Sequence, residues 1–200
     1  GSRAFCGNGS RCAAWWAYRQ GWTGGRKEFA LSTARGTLRA RITGARRAAV
    51  EMPAPRNIRL SRKLKALGRN LTLHSLDTGV PHAVLIWDGL ESAPVLELGR
   101  ALRRHKAFAP RGTNVDFVEF GRNVLRLRTY ERGVEDETLA CGTGVTAAAI
   151  VAFLLGRGKP PMRVRVRGGE RLTVRFRESD LGDLWLEGPV TPLFNGTFVQ

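Results

Sequence analysis

The sequence is sparing with cysteine, with only three among 200 residues, and it carries 17 acidic side chains against 33 lysines and arginines. Three cysteines cannot build a disulfide framework. No cysteine or histidine pair has zinc-ligand spacing, because Cys6 and Cys12 stand alone locally and His74, His82 and His105 are scattered, so no metal site is expected. Long apolar runs are missing too. The longest, from Val145 to Leu155, falls well short of the roughly 20 residues that cross a bilayer, and no membrane role is expected. No charged-then-apolar leader opens the chain, so no secretory signal is expected, and the three cysteines, with neither a disulfide framework nor metal-ligand spacing, fit a reducing cytoplasm. Low-complexity segments are also lacking.

What is present describes a globular protein. A hydrophobic fraction of 42% with 25% charged residues, over 200 residues, allows one large domain or two modest ones with a real core. The net charge of +16 raises the question of nucleic acid. The excess is mostly arginine spread along the chain, densest at Arg56, Arg59, Arg62, Lys63, Lys65 and Arg69. Neither a nucleic-acid motif nor interleaved aromatics accompanies that stretch. It reads as a solvated face with salt-sensitive, phosphate-directed stickiness rather than a specific site.

Periodicity orders the elements. Ser10 to Gln20 reads as a helix ended by Gly21. Strand-like alternation follows over Phe29 to Thr33, Thr37 to Ile42 and Ala48 to Met52. Pro53 and Pro55 then mark an expected domain boundary. It separates a first half, residues 1–53 with 188–200 returning to it, from a second half, residues 54–187. In the second half Leu71 to Leu76, Ala83 to Trp87, Val115 to Phe120 and Val124 to Tyr130 read as strands, and Val95 to Lys106 as a helix. Gly144 to Leu155 is a second helix stopped by Gly156. Met162 to Arg167, Leu172 to Phe176 and Leu184 to Leu186 close the chain with strands.

One internal echo organises the rest. Cys6-Gly7-Asn8-Gly9 before an Ala-rich helix recurs as Cys141-Gly142-Thr143-Gly144 before another, and Ala13, Ala14 and Ala17 align with Ala148, Ala149 and Ala152. The expected fold is α+β, two similar halves of mostly antiparallel strands, each around one helix. The first N–H groups of a helix lack intrahelical partners and carry the positive end of its dipole. Glycines there let a ligand approach the backbone closely. Such an end holds a carboxylate and is expected to favour thiolate over thiol. If two such ends share one cavity, a substrate α-carbon lies between two sulfurs. One removes the α-proton while the other protonates the opposite face, and no cofactor is needed. A single Cys-Gly-X-Gly start is weak evidence, since free cysteine is often just a small buried residue. Two matching copies reverse that reading. Cys12, inside the first helix, is expected only to pack.

At these residues the sequence resembles the diaminopimelate epimerase family. The first signature reads Gly1-Ser2-Arg3-Ala4-Phe5-Cys6-Gly7-Asn8-Gly9-Ser10-Arg11-Cys12. The second reads Tyr130-Glu131-Arg132-Gly133, then Glu137-Thr138-Leu139-Ala140-Cys141-Gly142-Thr143-Gly144. Gly79-Val80-Pro81-His82 and Gly112-Thr113-Asn114-Val115 lie between them in family order. The resemblance implies interconversion of LL- and meso-diaminopimelate for lysine and peptidoglycan synthesis, often by a homodimer. It implies that Cys6 and Cys141 are the acid–base pair, with His82 and Glu131 tuning their pKa values. Gly7, Asn8, Gly142 and Thr143 would hold the reacting carboxylate. Asn114, Glu131 and Arg132 would grip the far amino acid group, a zwitterion that wants one carboxylate and one guanidinium.

Three departures stand out. Val80 replaces a common asparagine and cannot donate to a carboxylate. The loop Val134-Glu135-Asp136 is one residue longer than usual and is expected to pack differently. Family members carry several dozen residues before the first cysteine, so the N-terminal half is expected to be truncated, with exposed sheet edges and weak or no activity of this chain alone. The competing readings are another two-cysteine racemase, of the proline or hydroxyproline type, and a non-catalytic remnant with a basic binding surface. The isomerases of phenazine pathways share the fold but lack the cysteine pair.

Overall fold

A computed structural model describes residues 6–34, 36–194 and 196; the first five residues of the first signature lie outside them. The chain opens with helix α1 (Gly7–Arg19) and the meander β1 (Glu28–Thr33), β2 (Gly36–Gly44) and β3 (Arg47–Glu51). A second run follows: β4 (Arg56–Ala66), β5 (Arg69–Asp77), β6 (Pro81–Ile86), helix α2 (Val95–Arg103), β7 (Asn114–Phe120) and β8 (Leu125–Glu131). The short β9 (Asp136–Thr138) precedes helix α3 (Gly142–Leu154), and β10 (Met162–Arg165), β11 (Arg171–Arg175) and β12 (Trp185–Pro189) follow. Among the described residues the strands form one sheet, ordered β1-β2-β3-β12-β11-β10-β8-β7-β6-β5-β4, with β9 added to β8. Only β6 with β7 and β8 with β10 run parallel; the other pairs are antiparallel. The sheet continues past the prolines at 53 and 55, because the last strand returns to pair with β3, Trp185 facing Glu51 and Pro189 facing Arg47.

The two cysteine-led helices meet the sheet differently. Helix α3 is apolar all round, and every residue from Gly142 to Ala152 is buried. Such a helix must be enclosed, and β5, β6, β7, β8, β10 and β11 all contact it. Helix α1 rests on β2, β3 and β12 through one stripe, Gly7, Arg11, Ala14 and Trp15. Cys12 points away from that stripe and is exposed, which corrects the expectation that it packs. One helical step is about 100°, so a residue next to buried Arg11 need not share its face. On the other face of β7 and β8, α2 lies so close that a methyl group on Gly99 would stand 2.5 Å from the Tyr130 Cβ.

Two strands escaped the periodicity reading. The basic stretch from Arg56 to Lys65 forms β4, a sheet edge paired among the described residues only with β5, which Arg69 opens. Its register slips between Arg56 and Arg59 and again between Arg59 and Arg62, where Asn57 and Ser61 take positive φ. Charge and bulges hid the alternation. The other is β9, in the lengthened loop. There Glu135 takes a φ of 62°, its carbonyl accepts the Tyr130 hydroxyl at 2.8 Å and its carboxylate accepts Arg103 Nε at 2.8 Å. The extra length is absorbed by those anchors.

Candidate active site

The sequence echo is also a backbone echo. Cys6 caps α1 with φ −120° and ψ 98°, and Cys141 caps α3 with φ −118° and ψ 107°. The two helix starts abut. A methyl group on Gly142 would meet the Leu186 side chain at 2.9 Å and the Gly7 Cα at 3.5 Å, so glycine permits this approach. Asn8 Nδ2 donates to the Ala140 carbonyl at 3.5 Å across the junction. Asn8 Oδ1 is buried there without a hydrogen-bond partner. Two positive helix ends thus converge, and an anion placed between them would receive donors from both.

The sulfurs differ in setting. Cys6 is exposed, and its Sγ accepts the Gly9 N–H at 3.3 Å. Cys141 is buried, with its Sγ 3.3 Å from Thr143 Oγ1. Burial, followed by the charges of Asp116 and Glu131, pushes the Cys141 thiol up to about 12. This reverses the expectation that a helix start lowers it. A helix end is worth at most about 2 kcal/mol, and desolvation with two nearby carboxylates outweighs that.

Around Cys141 lies a buried polar chain. His82, on β6, and Asn114, on β7, are register partners, and Asp116 on β7 faces Thr129 on β8. His82 Nδ1 is 2.6 Å from Asp116 Oδ2, and His82 Nε2 is 2.9 Å from Thr143 Oγ1. Thr129 donates its hydroxyl to Asp116 Oδ1 at 2.7 Å. Thr78, in the turn that holds Val80, donates to the Thr143 carbonyl at 3.0 Å and so ties that turn to the start of α3. Asp116 was missing from the sequence-derived candidates. Asn114 and Asp116 are two apart and share a face of β7, but the strand is buried on both faces there, so the sequence shows no alternation that would single Asp116 out.

Of the residues expected at the far end, Asn114 and Arg132 are joined while Glu131 turns to Thr138. Glu131 accepts the Thr138 hydroxyl at 3.0 Å and acts electrostatically on Cys141. Arg132 donates through Nη1 to the Arg111 carbonyl at 3.2 Å, and its backbone N–H donates to Asn114 Oδ1 at 2.7 Å. Burial, with Arg103 and Arg111 close by, lowers the Arg132 pKa, and no carboxylate among the described residues forms a salt bridge with it. A cavity of about 330 Å³ lies beside this end, with Asp77, Pro81, His82 and Arg111 on its wall. Arg11, also missing from the sequence-derived candidates, buries its guanidinium under α1 over Gly188.

Solved structures share the architecture. A probable proline racemase from Agrobacterium radiobacter K84 superimposes with a TM-score of 0.72 at 16% identity, over 94% of this chain and 65% of its own. A phenazine biosynthesis protein of the PhzF family from Bacillus anthracis superimposes with a TM-score of 0.68 at 12% identity, over 94% of this chain and 74% of its own. The fold is therefore the α+β fold shared by these proteins. Sequence narrows the class. Residues 74–183 match the family model for diaminopimelate epimerase. The diaminopimelate epimerase of Aquifex aeolicus is 43% identical over 96% of this chain and 68% of its own length. That of Chlorobaculum tepidum is 41% identical over 96% and 74%. The chain belongs to the diaminopimelate epimerase family, whose relatives are isomerases of an amino acid.

Proposed function

We propose that the chain interconverts LL- and meso-diaminopimelate by a two-base reaction in which Cys6 and Cys141 face opposite sides of the α-carbon. The junction of the two cysteine-capped helix starts, Gly142 against Gly7, is the observation that carries this reading. A substrate carboxylate between the helix ends takes N–H donors from Gly7, Asn8, Gly142 and Thr143. One sulfur, as thiolate, takes the α-proton. The C–H electron pair moves into the carboxylate, where both helix ends stabilise the added charge. The opposite thiol gives its proton to the other face, and the centre is inverted with no cofactor. Arg132, a half-buried cation with no salt bridge among the described residues, receives the far carboxylate. Asn114 holds the Arg132 backbone, and Glu131 with His82 sets the protonation of the thiols. The three free cysteines suit a reducing cytoplasm, where the product feeds lysine and peptidoglycan synthesis. A homodimer is the assembly the family suggests.

The test is α-proton exchange. Incubated with LL-diaminopimelate in D2O, the protein should incorporate α-deuterium and release the meso isomer. Cys6→Ala and Cys141→Ala should each abolish both, and the Aquifex aeolicus relative serves as positive control. Exchange into proline instead would make the chain a proline-type racemase. Exchange that survives loss of either sulfur would overturn the two-base reading.

A further inference from the structure

We propose that Asp116 is a positioning residue of this reaction, fixing the His82 ring so that its Nε2 accepts the Cys141 thiol proton through the Thr143 hydroxyl. The inference rests on the two-cysteine reading above and adds the route by which the buried sulfur becomes a base.

The hydrogen-bond directions follow from chemistry. Asp116 is fully buried, and an ionised carboxylate only accepts. Its Oδ1 takes the Thr129 hydroxyl and its Oδ2 lies 2.6 Å from His82 Nδ1, so Nδ1 carries the ring proton. Asn114 gives the same answer from another side. Its Oδ1 accepts the Arg132 N–H at 2.7 Å, which makes the other end of the amide the NH2 group. That NH2 lies 3.2 Å from the Pro81 carbonyl and 3.4 Å from His82 Nε2. A nitrogen that faces donors is an acceptor. The Thr143 hydroxyl, 2.9 Å from Nε2 and 3.3 Å from the Cys141 sulfur, gives its one proton to Nε2 and keeps lone pairs for the S–H. The chain therefore runs one way, from Cys141 S–H to Thr143, from Thr143 O–H to His82 Nε2, and from His82 Nδ1–H to Asp116.

Proton transfer along it balances. The S–H bond breaks as a new O–H forms on Thr143. The original Thr143 O–H breaks as N–H forms on Nε2. A neutral thiol and a neutral imidazole become a thiolate and an imidazolium, with Asp116 stabilising the cation as a buried carboxylate stabilises a catalytic histidine elsewhere. The site needs such a route, since burial, Asp116 and Glu131 hold the Cys141 thiol protonated. Gly144 makes room for the carboxylate, because a methyl group there would stand 2.5 Å from Asp116 Oδ1. The charged groups that act on Cys141 are Asp116 on β7 and Glu131 on β8; His82 on β6 reaches it through Thr143, while across the junction the buried Arg11 on α1 interacts with Cys6. Cys6 has no counterpart relay among the described residues, its sulfur accepting a backbone N–H instead.

Asp116→Asn keeps the volume but offers an NH2 to Nδ1, which turns the ring to its other tautomer and reverses the chain. Ring 15N NMR should show Nδ1 protonated and Nε2 free in the wild type, with the pattern exchanged in Asp116→Asn. With diaminopimelate, kcat should fall about 100-fold in both directions alike, as an unchanged equilibrium constant requires, with KM little altered. Loss of the Asp116 charge by itself makes the Cys141 thiol easier to ionise, so a fall in kcat despite that reports loss of the relay rather than of the thiolate. Thr143→Val should repeat the loss, and Thr143→Ser should recover a large part of it. If Asp116→Asn fails to fold, the Thr143 pair and the wild-type ring spectrum decide the matter. Wild-type kcat in Asp116→Asn and Thr143→Val, with exchange still lost in Cys141→Ala, would overturn the relay and leave the two-cysteine reading standing. Should the wild type turn over no diaminopimelate, that reading fails. The relay is then judged by the ring spectrum alone, where a protonated Nε2 in the wild type refutes it.

Discussion

A thiol at the start of a buried helix is pulled two ways, and Cys141 shows which pull wins. The helix end favours the anion, while apolar packing and two carboxylates oppose it, and the thiol rises to about 12 from an ordinary 9.0. A raised pKa means the folded chain keeps a proton that the unfolded chain loses. Stability from this group is therefore intact below pH 9 and drains away as pH climbs towards 12. At pH 10.5 the loss is about 2 kcal/mol by linkage. Urea unfolding in reductant at pH 8 and 10.5 measures it: the wild type should lose about 2 kcal/mol more than Cys141→Ser, and equal losses would mean that the thiol titrates normally. The cysteine pair, its glycines and His82 were legible in the sequence because local spacing and a repeated motif carry them. The sign of the Cys141 shift was not, since burial belongs to the folded surroundings. Asp116 stayed hidden in Asn114-Val115-Asp116-Phe117, a run buried on both faces, where alternation no longer marks a side.

Among the elements, β4 turns the basic stretch from a puzzle into an edge. A strand at the end of a sheet offers unpaired N–H and C=O groups to other chains, and proteins blunt such edges with lysine, arginine and bulges. Arg59, Lys63 and Lys65 are exposed along β4, and its register slips twice. Replacing these three with Val should leave the monomer fold intact, since none is buried, yet promote association. Sedimentation at increasing concentration should show larger species for the triple variant than for the wild type, whereas a variant that sediments like the wild type would assign the charges another purpose. The helices and most strands were legible from period and glycine stops, within two or three residues of their observed ends. The edge strand was not, because charged, bulged sequence breaks the alternation that marks a half-buried strand. The difference between the helices was equally hidden. Ala13 and Ala148 match in the motif, but Ala13 is exposed while Ala148 is sealed; the number of strands around a helix is a property of the whole sheet.

For the whole molecule the net charge of +16 is a field rather than a site. Carboxylates are largely spoken for: Glu51 and Asp183 by Arg39, Glu91 and Glu119 by Arg126, Glu137 by Arg128 and Glu135 by Arg103. The surplus cations sit along β4 and elsewhere on the surface, with no groove motif or stacked aromatics to read bases. Phosphates should therefore bind by counterion release alone. With about three phosphate contacts, affinity for duplex DNA should fall roughly 40-fold between 50 and 200 mM salt. Two duplexes of equal length and unrelated sequence should bind alike. Fluorescence anisotropy with both, across that salt range, checks both expectations at once. A flat salt dependence, or a clear preference for one duplex, would mean that the arginines form a built nucleic-acid surface and that catalysis is not this chain's only business.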